Sequence, residues 1–148
     1  MPFIEDSSDS PQSVNRHQVG ITKDQAARVL VAIRMDMNPD DDDYEAGRLT
    51  EKADEFFVDL AGFGLLNYTL RSLGKVLNEK MTKEEMFKDI IGVYAREHRE
   101  TFINELKGFM PEDWKMKYVT NEAKQHVVLV KAGPYVDFKE YGNFDTMA

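Results

Sequence analysis

The strongest constraint on this chain is a hydrophobic period at its centre. Leu49, Ala53, Phe56, Leu60, Phe63, Leu66, Leu70, Leu73 and Leu77 follow one another at intervals of three or four. That spacing puts side chains on one face of an α-helix. Phe57, Leu65 and Val76 widen the stripe. Glu51, Lys52, Asp54, Glu55 and Asp59 cover the other face of its first half, and Arg71, Lys75, Asn78 and Lys80 that of its second. Residues 60–70 carry no charge, and a run apolar all round is usually buried on several sides. The pattern predicts a central helix wrapped by the rest of the domain. The uncharged run is far short of the ~20 residues a membrane span needs.

Gly62 and Gly64 interrupt that run. Each costs a helix interior about 1 kcal/mol relative to alanine. Either the helix bends there or a neighbour crosses so closely that only hydrogen fits. The apolar phase passes through unbroken, which favours one kinked helix over two. The pair is no dinucleotide fingerprint: Asn67 stands where the third glycine belongs, and no strand precedes it.

Helices are expected on both sides. Thr22 is a candidate N-cap with Asp24 in the first turn, and Ala26, Leu30, Ile33 and Met37 form a stripe that must stop before Pro39. Thr82 and Glu85 form a capping box. After it, Phe87, Ile90, Ile91, Tyr94, His98, Phe102, Leu106 and Phe109 mark one long helix, closed by Gly108 and Pro111 and packed antiparallel to the central one. Beyond Pro111 the period changes to two. Trp114, Met116 and Tyr118 alternate with Lys115 and Lys117; residues 126–131 are rich in β-branched valine; residues 135–141 alternate again. Asn121 and Gly133 also fit the ends of a short helix, but Val127, Val128 and Val130 favour a strand. The expected fold class is α+β, mainly α: a three-helix bundle, its central helix kinked at Gly62 and Gly64, with a small C-terminal antiparallel β meander. Residues 1–20 read as a flexible, Ser-rich acidic tail. Residues 21–148 read as one domain, helical over 21–110 and β-rich over 111–148.

The chain has no cysteine, which removes disulfides, zinc–thiolate sites and cysteine nucleophiles. Its first residues have no basic start and no long apolar core, so no secretory signal is read and a cytoplasmic location is expected. Asn67 and Thr69 match a glycosylation sequon, but inside an apolar helix the match carries no weight. The net charge of −8 is unevenly spread: residues 1–60 hold 14 Asp/Glu and 6 Lys/Arg, residues 61–148 hold 13 of each. An acidic field repels phosphates, so no direct nucleic-acid partner is expected, and it attracts basic protein surfaces.

The densest charge is Asp36, Asp40, Asp41, Asp42, Asp43 and Glu45. A calcium loop needs glycine at its sixth position and glutamate at its twelfth. Counting from Asp36 these are Asp41 and Gly47; from Asn38, Asp43 and Leu49; from Asp40, Glu45 and Glu51. No frame passes, and no metal or cofactor is expected. The remaining readings are a solvated loop whose last aspartate caps the next helix, and a docking patch that Glu51, Asp54 and Glu55 extend. An alternative binding surface is aromatic: Trp114, Tyr118, Tyr135, Phe138 and Tyr141. His98 falls on the apolar face among Glu97, Arg99 and Glu100. A di-iron helix would carry glutamate three residues before the histidine, where Ala95 stands, so a core-edge histidine bonded to a neighbour is expected. Ser72 has no elbow motif around it.

Three functional classes emerge. The first is a non-catalytic module that engages a basic site on a partner protein, in one form as an inhibitor of a nucleic-acid-acting enzyme. The second is a structural subunit, homo-oligomeric or not, docking by its tail and aromatic strands. The third, least supported, is a small enzyme using carboxylates around His98.

Overall fold

The computed structural model describes residues 20–39, 41 and 44–146, without the side chains of Tyr44 and Glu45. The predicted tail therefore lies outside the described residues, apart from Gly20. Among the described residues five helices precede three strands: α1 (Lys23–Met35), α2 (Tyr44–Gly62), α3 (Leu66–Leu77), α4 (Lys83–Arg96), α5 (Glu100–Lys107), β1 (Lys115–Thr120), β2 (His126–Lys131) and β3 (Phe138–Asn143). The fold is α+β and mainly helical, as expected. The three long helices of the sequence pattern are five, because two of them break.

Both breaks, and two further helix ends, share one device. After α1, α2, α3 and α4 comes a residue with positive φ: Asp36 (52°), Gly64 (75°), Glu79 (58°) and His98 (56°). The next amide then reaches back five residues. Met37 N–H donates to Ala32 O (3.0 Å), Leu65 to Leu60 (2.9 Å), Lys80 to Lys75 (2.8 Å) and Arg99 to Tyr94 (2.8 Å). These bonds satisfy carbonyls a helix end leaves open. Of these four residues only Gly64 is a glycine, and the first helix is stopped in the sequence by Pro39 instead. At His98 the chain turns while its apolar spacing continues, so periodicity alone reads straight through.

The turn at Gly64 also corrects the burial expected of residues 60–70. Leu60, Leu65 and Leu70 are buried, but Ala61, Gly62, Phe63 and Gly64 are exposed. Phe63 is 54% exposed; its ring meets the edge of Phe102 and carries Arg99 on its face at 4.4 Å. The helix starts follow the sequence more closely. Thr22 and Gln25 close a capping box on α1, and Thr82 and Glu85 close one on α4, each with bonds of 3.1 and 2.9 Å.

The hub is α4 rather than the stretch around Leu60. It packs against α3, α5 and β3 and contributes Met86, Phe87, Ile90, Ile91, Tyr94 and Ala95 to the core. Phe56 gathers Phe57, Phe102 and Phe109 around it, and Phe87 meets Trp114 edge-on. The Tyr94 hydroxyl is buried but satisfied. It lies 2.6 Å from Thr69 Oγ1, which itself donates to Leu65 O at 2.9 Å. Burial pushes the Tyr94 phenol far above its ordinary value.

The sheet is the expected antiparallel meander, in order β1-β2-β3. The β1–β2 turn keeps Lys124 at φ 66°, and Asn121 Oδ1 accepts from Gln125 N–H. β3 starts at Phe138, three residues later than the alternation suggests, because residues 132–137 form the connection instead. In β3 the ladder skips Tyr141, between Glu140 opposite Leu129 and Gly142 opposite Val128. This bulge turns Tyr141 and Gly142 both inward, where they are buried. A Cβ on Gly142 would lie 3.0 Å from Ala95 Cβ and from Ile91 Cγ2, so α4 and β3 touch almost backbone to backbone.

Candidate functional site

The acidic candidates divide three ways. Asp40, Asp42 and Asp43 lie outside the described residues, and the side chain of Glu45 is not described. Asp36 is exposed at the end of α1, and Asp41 is exposed in the connection to α2. Glu51, Asp54 and Glu55 are exposed on α2 together with Asp59. Ala53, Phe56, Phe57 and Leu60 bury the opposite side of that helix. Helical geometry gathers the four carboxylates on one outward stripe, with Glu51, Glu55 and Asp59 in one i, i+4 row. None of the four forms an ion pair with a described residue. Val58, 66% exposed, stands among them. Glu105 on α5 adjoins Asp59; burial, then the Asp59 charge, raises its carboxyl above the usual glutamate range.

The aromatic candidates do not form one patch. Trp114 and Tyr141 belong to the core. Tyr118 is on the inner face of the sheet, where its hydroxyl donates to Asn104 Oδ1 at 2.7 Å and burial pushes its pKa up to about 12. Phe138 is on the outer face. Tyr135 is 97% exposed in the β2–β3 connection. A cleft of about 1110 Å³ brings Tyr135 and Trp114 together with Asp36, between the end of α1, the start of α4 and one side of α2. Arg34 and Lys52 line it as well as Glu112 and Asp113, so it carries charges of both signs. Arg34 donates to Met110 O at 2.7 Å and lies 3.8 Å from Glu112. No histidine, serine or cysteine lines the cleft.

His98 differs from expectation: it is exposed, with its ring 6.3 Å from Phe144. The left-handed turn lifts it off the apolar face. Ser72 is buried and donates to Asp89 Oδ2 at 3.3 Å, a bond that ties α3 to α4. Tyr68 joins the same carboxylate; burial and that bond push its pKa up to about 12. His126 reaches Asp145 through its backbone N–H and through Nδ1 (3.1 Å), and these bonds hold Asp145 below the usual carboxylate range. Among the described residues no three His, Asp or Glu side chains are grouped to hold a metal ion. No described helix is long and apolar enough to cross a membrane.

A second charged face was not read from the sequence. The register places Lys115 opposite Lys131 and Lys117 opposite Leu129, and residues two apart on a strand share a face. Lys115, Lys117 and Lys131 therefore stand together on the outer face of the sheet, with Lys117 Nζ 4.2 Å above the Phe138 ring. The Lys115 and Lys117 alternation was visible; the register that adds Lys131 was not.

No protein-family model matches the chain, and neither does any curated protein or solved structure.

Proposed function

We propose that this chain is a non-catalytic binding module that engages a basic site on a partner protein through α2. What supports the reading is one observation: Glu51, Asp54, Glu55 and Asp59 share an exposed face of α2, where Arg48 and Lys52 are the cations beside them and none of the four forms an ion pair with a described residue. Like charges four residues apart cost a helix about 0.2–0.5 kcal/mol per pair. Arg48 and Lys52 offset part of this cost, and a cationic partner would relieve the rest. In sequence, Asp36 and the run Asp40, Asp41, Asp42 and Asp43 precede α2 and add to the acidic charge. A groove that normally holds nucleic acid is one surface of the required chemistry, and an inhibitor of such an enzyme is one form of the proposal.

The test is capture of partners by the tagged protein from its host's lysate. Wild type is compared with Glu51→Gln/Asp54→Asn/Glu55→Gln/Asp59→Asn, at ~0.1 M and ~1 M salt, where the screening length falls from ~10 to ~3 Å. The expected partner is held by wild type at low salt and lost both in the variant and at high salt. A partner that the neutralised variant retains would remove α2 from the interface.

A further inference from the structure

Among the described elements no helix packs on the outer face of the sheet, although Val127 on it is buried. β3 is the strand that packs on α4, and β1 contributes no buried residue. At one end of this face, Lys115, Lys117 and Lys131 gather around Phe138, and none of the three forms an ion pair with a described residue. Half-buried Leu129 and Val119 lie beside them. At the other end Gln125 Oε1 accepts from Asn121 and Asn143, 3.2 and 3.1 Å away, over buried Val127. Glu140 is the one carboxylate among the strand residues of this face.

This surface is complementary to one already described. Adjacent lysines are about 7 Å apart along a strand and about 5 Å across the pair. The carboxylates of α2 recur once per turn, about 5.4 Å. Each face has an apolar centre with charge around it: Val58 on the helix, Leu129 and Val119 on the sheet. No described ion pair joins α2 to the sheet within one chain, so neither face neutralises the other internally.

We propose that the outer sheet face is the docking site for α2 of a second copy, so that the chain associates head to tail. The inference rests on α2 being a docking face and names its partner. Such a contact uses two different patches, so it extends into rings or open chains unless one patch is blocked.

That asymmetry supplies the test. Two charge-reversed variants are prepared: Glu51→Lys/Glu55→Lys, which disables the helix, and Lys115→Glu/Lys117→Glu, which disables the sheet. Mass is followed by sedimentation from micromolar to millimolar protein at ~0.1 M salt, where the long-range repulsion of two −8 chains is screened but contact pairs persist. Wild type is expected to grow in mass with concentration and to return to the 17.1 kDa monomer at ~1 M salt. Each variant alone stays monomeric. An equimolar mixture associates again, because each variant keeps one intact face and the two reversed faces are themselves complementary, which also shows that both variants are folded. A wild type that stays monomeric throughout overturns the proposal. So does an oligomer that survives ~1 M salt or either reversal. If wild type is monomeric and the sheet variant still captures the lysate partner while the helix variant does not, only the self-docking inference fails. Loss of α2 dependence in both assays removes the broader reading as well.

Discussion

At the scale of single residues, the informative positions are those that carry a side chain where glycine would be easier. His98 holds φ at 56° to end α4. A left-handed residue with a Cβ costs about 1–2 kcal/mol, and glycine recovers part of this after its greater freedom in the unfolded chain is counted. His98→Gly is therefore expected to raise stability by about 0.5–1 kcal/mol in urea unfolding. Gly64→Ala, at φ 75°, should lower it by about 1 kcal/mol. Equal effects of the same sign would show that these stops do not carry the strain assigned to them. The same positions explain what periodicity could not reach. Glu79 and His98 have no composition that signals a stop; the stop lies in a backbone angle and one five-residue hydrogen bond. A pattern of apolar spacings registers neither.

At the scale of elements, the sheet reaches the helices chiefly through one seam, β3 against α4. Gly142 is the point of closest approach. Adding a methyl group there places it 3.0–3.1 Å from Ala95, from the Ile91 side chain and from the Ile91 carbonyl. Two of these neighbours cannot swing aside, because one is backbone and the other a Cβ. Gly142→Ala is expected to cost about 1–3 kcal/mol by overpacking, while Gly62→Ala, with open space around it, should be neutral or stabilising. Thermal unfolding of the pair separates crowding from a generic glycine effect; matching losses would refute it. Helix starts and strand identities were legible here because they depend on neighbours in sequence: Thr22 with Gln25, Thr82 with Glu85, and the β-branched Val127, Val128 and Val130. The late start of β3 and its bulge were not, because they are set by what α4 will accept.

At the scale of the whole molecule, charge is sorted by surface. Half of the candidate site was visible as composition: the acidic excess before residue 60 and the outward phase of Glu51, Asp54 and Glu55. The other half required register, since Lys131 joins Lys115 only once β1 and β2 are paired. The aromatic alternative dissolved for the same reason, as residues close in sequence were sent to the core, to both faces of the sheet and to a loop. The acidic field also reaches stability, through Glu105. Its carboxyl is raised by burial and by Asp59, so ionising it costs more in the folded state than in the unfolded one. That cost is absent in acid, grows as pH rises from the ordinary glutamate value to the raised folded value, and is constant above it. Glu105→Gln should therefore melt higher than wild type at neutral pH and match it in acid. A difference independent of pH would assign the effect to packing.

The skipped residue in β3 works like a frame. With Tyr141 passed over, Phe138 and Glu140 come out on the same side as Asn143; counted without a skip, Asn143 would have Lys139 and Tyr141 beside it. Pairing without the skip would set Lys139 instead of Phe138 opposite Lys131 and exchange the aromatic ring beneath Lys117 for an ammonium group, whereas deletion of Tyr141 itself would make the ladder regular and keep Phe138 and Glu140 outward. The chemical character of the outer surface is thus set by a count along the strand. The extra residue is what lets Tyr141 reach the core while Phe138 stays beneath Lys117.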